Sequence, residues 1–162
     1  MAEGRGQLLF ACVLFLLLAA AAAAGCGTKT AAPASSPAVV DPRELDFGAP
    51  PTPDDAAAYE VMDRYLHHLV AENWAAAWEL LDPRVQERFT REQFAAQFAS
   101  PQSAAILEYR ITGVRTVPQD TQHAVAQIEL RVRSQRSIET WVEYWRLARV
   151  GTEWRIADAP RI

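Results

Sequence analysis

The hydrophobic pattern of this chain changes its period once, and that change limits the folds open to it. Between residues 54 and 99, apolar residues recur every three or four positions, a spacing typical of amphipathic helices. From residue 107 onward, apolar and polar residues alternate, a pattern typical of strands joined by short turns. Helices that precede hairpin-linked strands predict an α+β fold, in which the helices pack on one face of an antiparallel sheet.

Start and stop signals divide the helical part into three predicted N-terminal helices. Asp54 and Asp55 place acid at the start of the first helix, which ends near Glu72. Asn73 is the predicted cap of the second helix, which ends before Pro83 because the residue preceding proline avoids helical backbone. A capping box at residues 90–93 starts the third helix.

Four strands are predicted in the second half, at residues 107–112, 124–133, 138–147 and 154–156. The third of these is apolar on both faces: one face carries Ile138, Val142 and Tyr144, and the other carries Trp141, Trp145 and Leu147. Since helices cover only one side of a sheet, we expect Trp141 and Trp145 to lie on the uncovered side. There they would form a contact surface for a homodimer or an envelope protein. The alternative is that Leu45 and Phe47 fold back over this surface.

The first residues form an apolar run, Leu8 to Ala24, that is followed by Gly25 and Cys26. Small residues before a lone cysteine resemble the lipobox of bacterial lipoproteins, although Ala23 stands where the common lipobox has leucine. The resemblance implies that residues 1–25 are a signal peptide and that Cys26 carries the lipid. An uncleaved N-terminal membrane anchor is the alternative. Both interpretations tether the protein to the cell membrane on its exported face.

Residues 26–53 are rich in proline and alanine, and they are expected to form a loose tether that carries a folded domain at 54–162. Cys12 and Cys26 are the two cysteines of the chain, and neither lies in that domain. A disulfide or a thiolate metal site is therefore excluded there. The net charge of −4 offers no basic field for nucleic acid. We expect no metal and no cofactor.

Several short segments of the domain resemble the nuclear transport factor 2-like superfamily, whose relatives include ketosteroid isomerase-like and SnoaL-like domains. They are Tyr65-Leu66 with residues 73–83, Thr90 to Phe94, and Trp154-Arg155-Ile156 close to Pro160. Within that superfamily, the pattern most resembles the N-terminal domain of penicillin-binding transpeptidases and related stand-alone lipoproteins. The resemblance implies a cone-shaped fold: a curved sheet of four or more antiparallel strands wraps around the first helix and leaves a conical pocket.

The candidate pocket residues are Tyr65, His68 and Trp78, although packing in the core is the simpler interpretation of each. The other two histidines, His67 and His123, are expected on the surface. A solvated, carboxylate-paired sheet face is expected for four arginines: Arg131, Arg133, Arg146 and Arg149.

No acid–base pair is predicted to converge, so no catalytic residue is assigned. The sequence favours a non-catalytic binding or scaffolding domain. A small-molecule lyase or isomerase that uses the cone pocket is the alternative, and a lipoprotein that binds an apolar ligand is another.

Overall fold

A computed structural model of the chain describes residues 40–100 and 103–158. The predicted signal peptide and Cys26 lie outside these residues. The described elements, in chain order, are a 3₁₀ turn Pro42–Glu44, α1 (Pro53–Val70), α2 (Trp74–Glu79), α3 (Pro83–Gln86), α4 (Arg91–Ala99), β1 (Ala105–Val117), β2 (Asp120–Arg133), β3 (Ile138–Val150) and β4 (Glu153–Ile156). None of the described helices combines the length and the apolar character needed to cross a bilayer.

Local side-chain caps explain where the helices begin. The Thr52 hydroxyl accepts from the Asp55 amide at 3.2 Å, and the Asp55 carboxylate accepts from the Thr52 amide at 2.8 Å, which completes a capping box. Thr52 is therefore the cap of α1, and Asp54 and Asp55 lie in its first turn. The predicted caps of α2 and α4 are confirmed, since Asn73 accepts from Ala76 and a second capping box starts at Thr90.

The four strands form one curled antiparallel sheet in the order β1-β2-β3-β4, so the predicted α+β class is confirmed. Three register irregularities interrupt the pairing of β1 with β2, whereas β2 and β3 pair without a shift from His123↔Ala148 to Arg133↔Ile138. Irregularities of this kind increase the local twist of a strand pair, which suits a curled sheet. The far side of β4 meets residues 80–82, where the Asp82 amide donates to the Ile156 carbonyl at 2.8 Å.

The core lies between the helices and the inner face of the sheet. One side of α1 is buried there, and β2 contributes alternate residues from Ala124 to Val132. The largest side chains with almost no exposure are Tyr65, Phe94, Met62, Leu66, Leu81, Ile128, Leu130, Leu147 and Ile156. Their burial supplies the main favourable contribution to folding.

The predicted face of the two tryptophans in β3 is wrong. Residues directly opposite each other share a face, and Trp145 pairs with Ala126 while Trp141 pairs with Leu130, both of which point into the core. Trp145 is only 5% exposed, and its ring meets that of Tyr65 edge-on at 6.0 Å. Trp141 is half-buried against the same core. The face that was expected to turn inward, with Ile138 and Val142, is the outer one.

The predicted arginine face is correct in part. Arg131, Arg133 and Arg146 are exposed on the outer face, and Arg131 pairs with Glu108 at 3.1 Å. The expectation is wrong for Arg149, which lies on the opposite face. Its guanidinium pairs with Asp54 at 2.7 Å and stacks 4.5 Å from the centre of the Trp154 ring.

Candidate functional site

A short segment before α1 folds back onto the sheet, and we call residues 46–51 the strap. The ring of Phe47 lies on the outer face, with its centre 6.0 Å from that of Tyr144 in β3. The loose tether that was expected here is therefore wrong for the strap. The alternative, in which Leu45 and Phe47 fold back over Trp141 and Trp145, is correct only in that Phe47 folds back onto the sheet: its ring lies on the outer face, whereas both tryptophans lie on the core-facing side. The rest of the tether up to residue 39 lies outside the described chain.

Gly113 in the middle of β1 allows this close approach. A β-carbon at Gly113 would lie 3.0 Å from Cδ1 and 3.1 Å from Cβ of Phe47. These distances are shorter than ordinary van der Waals contacts, so a residue with a side chain fits beneath the ring only if Phe47 shifts. Glycine in a strand costs stability in itself, which indicates that the contact with Phe47 compensates for it.

Arg115 in β1 fixes the strap through main-chain contacts. Its Nε donates to the Asp46 carbonyl at 2.7 Å, and its Nη2 donates to the carbonyls of Phe47, at 3.0 Å, and of Ala49. Its Nη1 donates to the Val114 carbonyl at 2.6 Å. The planar fork of an arginine suits such simultaneous contacts, and they use four of its five N–H groups.

Asp55 joins the start of α1 to the edge of β1 beside the strap. Its carboxylate is 2% exposed, and it accepts from the main-chain amides of Thr52, at 2.8 Å, and Thr116, at 2.7 Å. Burial alone would raise the pKa of Asp55. The hydrogen bonds from Thr52 and Thr116 outweigh burial, so its pKa lies below the ordinary value of 3.8. Arg115 Nη1 lies 3.8 Å from the same carboxylate.

The strap, the first turns of α1 and the edge of β1 enclose a cavity of about 500 Å³, which we call the strap cavity. This volume lies in the range of small-molecule sites in proteins, about 300–1,000 Å³. Most of the wall is apolar and comprises Phe47, Ala49, Pro51, Ala56, Ile111 and Val114. Tyr59, which is 43% exposed, and Glu60 stand on the α1 side of this wall with their side chains open to solvent.

The chemistry of the strap cavity favours binding over catalysis. Two of the charged groups in its wall, Asp55 and Arg115, are already bound to main-chain groups, so neither is free to move a proton. Glu60, the other charged residue of the wall, is exposed to solvent and faces no partner base among the lining residues. Acid–base catalysis needs two groups that converge on one substrate atom, and the described residues of this wall do not supply them.

The three candidate pocket residues lie elsewhere, and none of them lines the strap cavity. Tyr65 is fully buried, its hydroxyl has no hydrogen-bond partner among the described residues, and burial raises its pKa. Trp78 packs against Phe94 in the core, with ring centres 5.6 Å apart. His68 is half-buried on the other side of α1, beside His67.

The other two histidines lie at or near the surface. His67 is exposed, and His123 is half-exposed and pairs with Asp120 at 2.7 Å. Within residues 40–100 and 103–158, no three His, Cys, Asp or Glu side chains lie close enough together to hold a metal ion.

Sequence reasoning missed the residues that build the strap cavity: Phe47, Asp55, Gly113 and Arg115. One signal was available, because an isolated glycine inside an alternating strand pattern indicates a close main-chain approach. Nothing in the alternation of β1 identifies the strap as the segment that approaches it.

Comparison with known proteins adds little to this geometry. No protein-family model matches the sequence, and no curated protein sequence matches it. A search of solved structures finds the solution structure of a SEC-C motif containing protein from Rhodopseudomonas palustris. It is 12% identical, covers 67% of this chain and 91% of its own, and has a TM-score of 0.49.

Proposed function

We propose that this protein is an exported, lipid-tethered binding domain that takes a small, neutral, mostly apolar ligand into the strap cavity without altering it. The observation that carries the proposal is a cavity of about 500 Å³ with an apolar wall in which both Asp55 and Arg115 are already bound to main-chain groups. An anionic ligand would have to displace the main-chain carbonyls that Arg115 binds, and a cationic ligand would find only the solvent-exposed carboxylate of Glu60, whereas an apolar ligand gains from burial alone.

The membrane tether rests on the sequence around Cys26 and on where the strap lies. The lipobox resemblance supports acylation at Cys26 and a position on the exported face of the cell membrane. The strap lies between this cysteine and α1, so the tether would reach the domain beside the cavity. Helices that precede an antiparallel meander, with α1 packed on the curled sheet, also support a nuclear transport factor 2-like, cone-shaped fold.

Binding of the neutral fluorophore N-phenyl-1-naphthylamine tests this function. The protein would be made as residues 26–162 with Cys26→Ser, so that no lipid and no detergent compete for the probe. We expect saturable fluorescence enhancement with one site per chain. In Ala56→Trp an indole occupies the cavity, and affinity should fall by about tenfold or more.

Ala57→Trp provides the matched control, because Ala57 is also exposed on α1 but does not line the cavity. It should bind the probe as the parent chain does. Equal loss in both variants, or no loss in Ala56→Trp, would contradict the assignment of the ligand to this cavity. Circular dichroism of both variants shows whether α1 remains folded.

A further inference from the structure

The sheet has an open edge along most of β3. β4 pairs with β3 over residues 147–150, and one further hydrogen bond joins the Ala157 amide to the Arg146 carbonyl at 2.9 Å. Residues 138–145, which we call the docking edge, have β2 on one side. On their other side no strand of the described chain is present. An open edge of eight residues is long, because strands in globular proteins average about five or six residues.

The direction of the main-chain groups at this edge follows from the pairing with β4. Arg146 directs its carbonyl toward β4, and main-chain groups alternate sides along a regular strand. Hence the amides and carbonyls of Ile138, Thr140, Val142 and Tyr144 face outward from the sheet. Within residues 40–100 and 103–158 these groups have no hydrogen-bond partner, which makes them a template for an added strand.

The side chains beside the docking edge differ between its two faces. On the outer face, Ile138 is 52% exposed and Val142 is 58% exposed. On the other face, Glu139 and Glu143 are exposed, and neither forms an ion pair with a described residue. Glu139 accepts from the Ser137 hydroxyl and from the Trp141 indole, so it is held in place.

We propose that the docking edge binds an extended segment of a partner protein as an antiparallel strand. Its basic residues would lie opposite Glu139 and Glu143, and its apolar residues opposite Ile138 and Val142. Residues directly opposite each other share a face. From its N-terminus to its C-terminus, the matching segment therefore has a basic residue, an apolar residue, two residues of any type, a basic residue and an apolar residue. Main-chain hydrogen bonds supply the affinity of such strand addition, and the alternate side chains supply its specificity.

A second copy of this chain fits the docking edge less well. When two copies related by a two-fold axis pair through their docking edges, one register uses all four outward-facing residues. It places Ile138 opposite Tyr144 and Thr140 opposite Val142. That register also places Glu139 of each copy opposite Glu143 of the other. Like charges directly opposite each other destabilise a strand pair, so charge complementarity favours a basic partner segment.

Fluorescence anisotropy of a labelled peptide tests the proposal on the full chain in neutral detergent micelles. The probe is fluorescein-Gly-Thr-Lys-Val-Thr-Thr-Lys-Val-Thr-Gly, and the control peptide carries glutamate in place of both lysines. We expect the lysine peptide to bind at least about tenfold more tightly than the glutamate peptide, by a margin that shrinks as salt is added. The double variant Glu139→Lys/Glu143→Lys should reverse this preference. Glu87→Lys, an exposed glutamate in the turn that follows α3, should leave it unchanged.

Val142→Pro removes an outward-facing amide but no bond to β2, and proline is tolerated where the strand amide faces solvent. It should abolish peptide binding while the circular dichroism spectrum is preserved. If this variant does not fold, the charge-reversal pair still decides the question.

Three results would overturn the proposal. The first is equal binding of the two peptides, or unchanged binding by a folded Val142→Pro variant. The second is peptide binding only after residues 159–162 are deleted, which would assign the edge to the chain's own C-terminal segment. The third is a dimer in sedimentation velocity that Val142→Pro disrupts, in a chain that binds neither peptide.

Discussion

Gly113→Ala should loosen the strap, because the added methyl group meets Phe47. The new β-carbon would lie 3.0 Å from Cδ1 and 3.1 Å from Cβ of that residue, and 3.3 Å from its carbonyl oxygen. The residues with left-handed backbone in the described chain are Glu72, Gln119 and Gly151, so backbone strain does not contribute at Gly113. The destabilising part of the effect should therefore come from crowding beneath the ring.

Two opposing contributions set the magnitude. Replacing glycine by alanine at a compatible position stabilises a protein by about 0.4–1 kcal/mol through the unfolded chain. Overpacking a well-packed contact costs about 1–3 kcal/mol. We therefore expect Gly113→Ala to lower the free energy of unfolding by about 0.5–2 kcal/mol. Phe47→Ala alone should cost about 2 kcal/mol, since it removes half-buried apolar area and the contact with Tyr144.

A double-mutant cycle in urea separates these contributions. In the Phe47→Ala background the contact with Cδ1 is gone, so Gly113→Ala should cost about 1 kcal/mol less than it does in the parent chain. Gly151→Ala is the control. Its left-handed backbone, with φ of 63°, makes alanine unfavourable there, but its β-carbon would have no neighbour within 4 Å. Its cost should not depend on Phe47. Additive costs for Phe47→Ala and Gly113→Ala would refute the position assigned to the strap.

Three further predictions concern single side chains. Tyr65→Phe removes a buried hydroxyl that has no partner among the described residues, so stability in urea should stay unchanged or rise by up to about 1 kcal/mol; a clear loss would reveal a hidden partner. The pKa of Asp55 is lower in the folded than in the unfolded chain, so its stabilising contribution is complete above the unfolded pKa and is lost as the pH falls through the folded pKa. Asp55→Asn should therefore destabilise the protein at pH 7, and its free energy of unfolding should fall less than that of the parent chain as the pH is lowered. An equal loss of stability in both proteins on acidification would contradict this. Cys26→Ser should abolish incorporation of labelled palmitate and release the protein from membranes; unlabelled wild-type protein that retains residues 1–25 would favour an uncleaved anchor instead.

Two of the local features, which depend only on neighbouring residues in the chain, were predicted correctly, whereas the capping box at Thr52 was missed. The caps at Asn73 and Thr90 need only a side chain that reaches an amide three residues ahead, so they can be read directly from the sequence. The order of helices and strands follows from the period of the apolar residues, which needs no knowledge of tertiary contacts.

Features that depend on distant partners were not predicted. Both faces of β3 are apolar, so its own pattern cannot say which face turns inward. The register with β2 decides it, because small Ala124 and Ala126 leave room opposite Leu147 and Trp145. The signal available in the sequence for this register was that small residues of β2 match large residues of β3 at alternate positions. In the same way, Gly113 indicated a close approach to β1 but could not identify Phe47, which lies 66 residues earlier in the chain.

Methyl chemical-shift mapping of bound N-phenyl-1-naphthylamine tests the central claim most directly. On residues 26–162 with Cys26→Ser, the account predicts that the largest shifts fall on the methyl groups of Ala56, Ile111 and Val114 in the wall of the strap cavity. Val85 in α3 and Ile156 in β4, which are buried and do not line the cavity, should barely move. Saturable binding whose largest shifts fall on Val85 and Ile156, with Ala56 and Ile111 unaffected, would contradict the assignment of the strap cavity as the binding site.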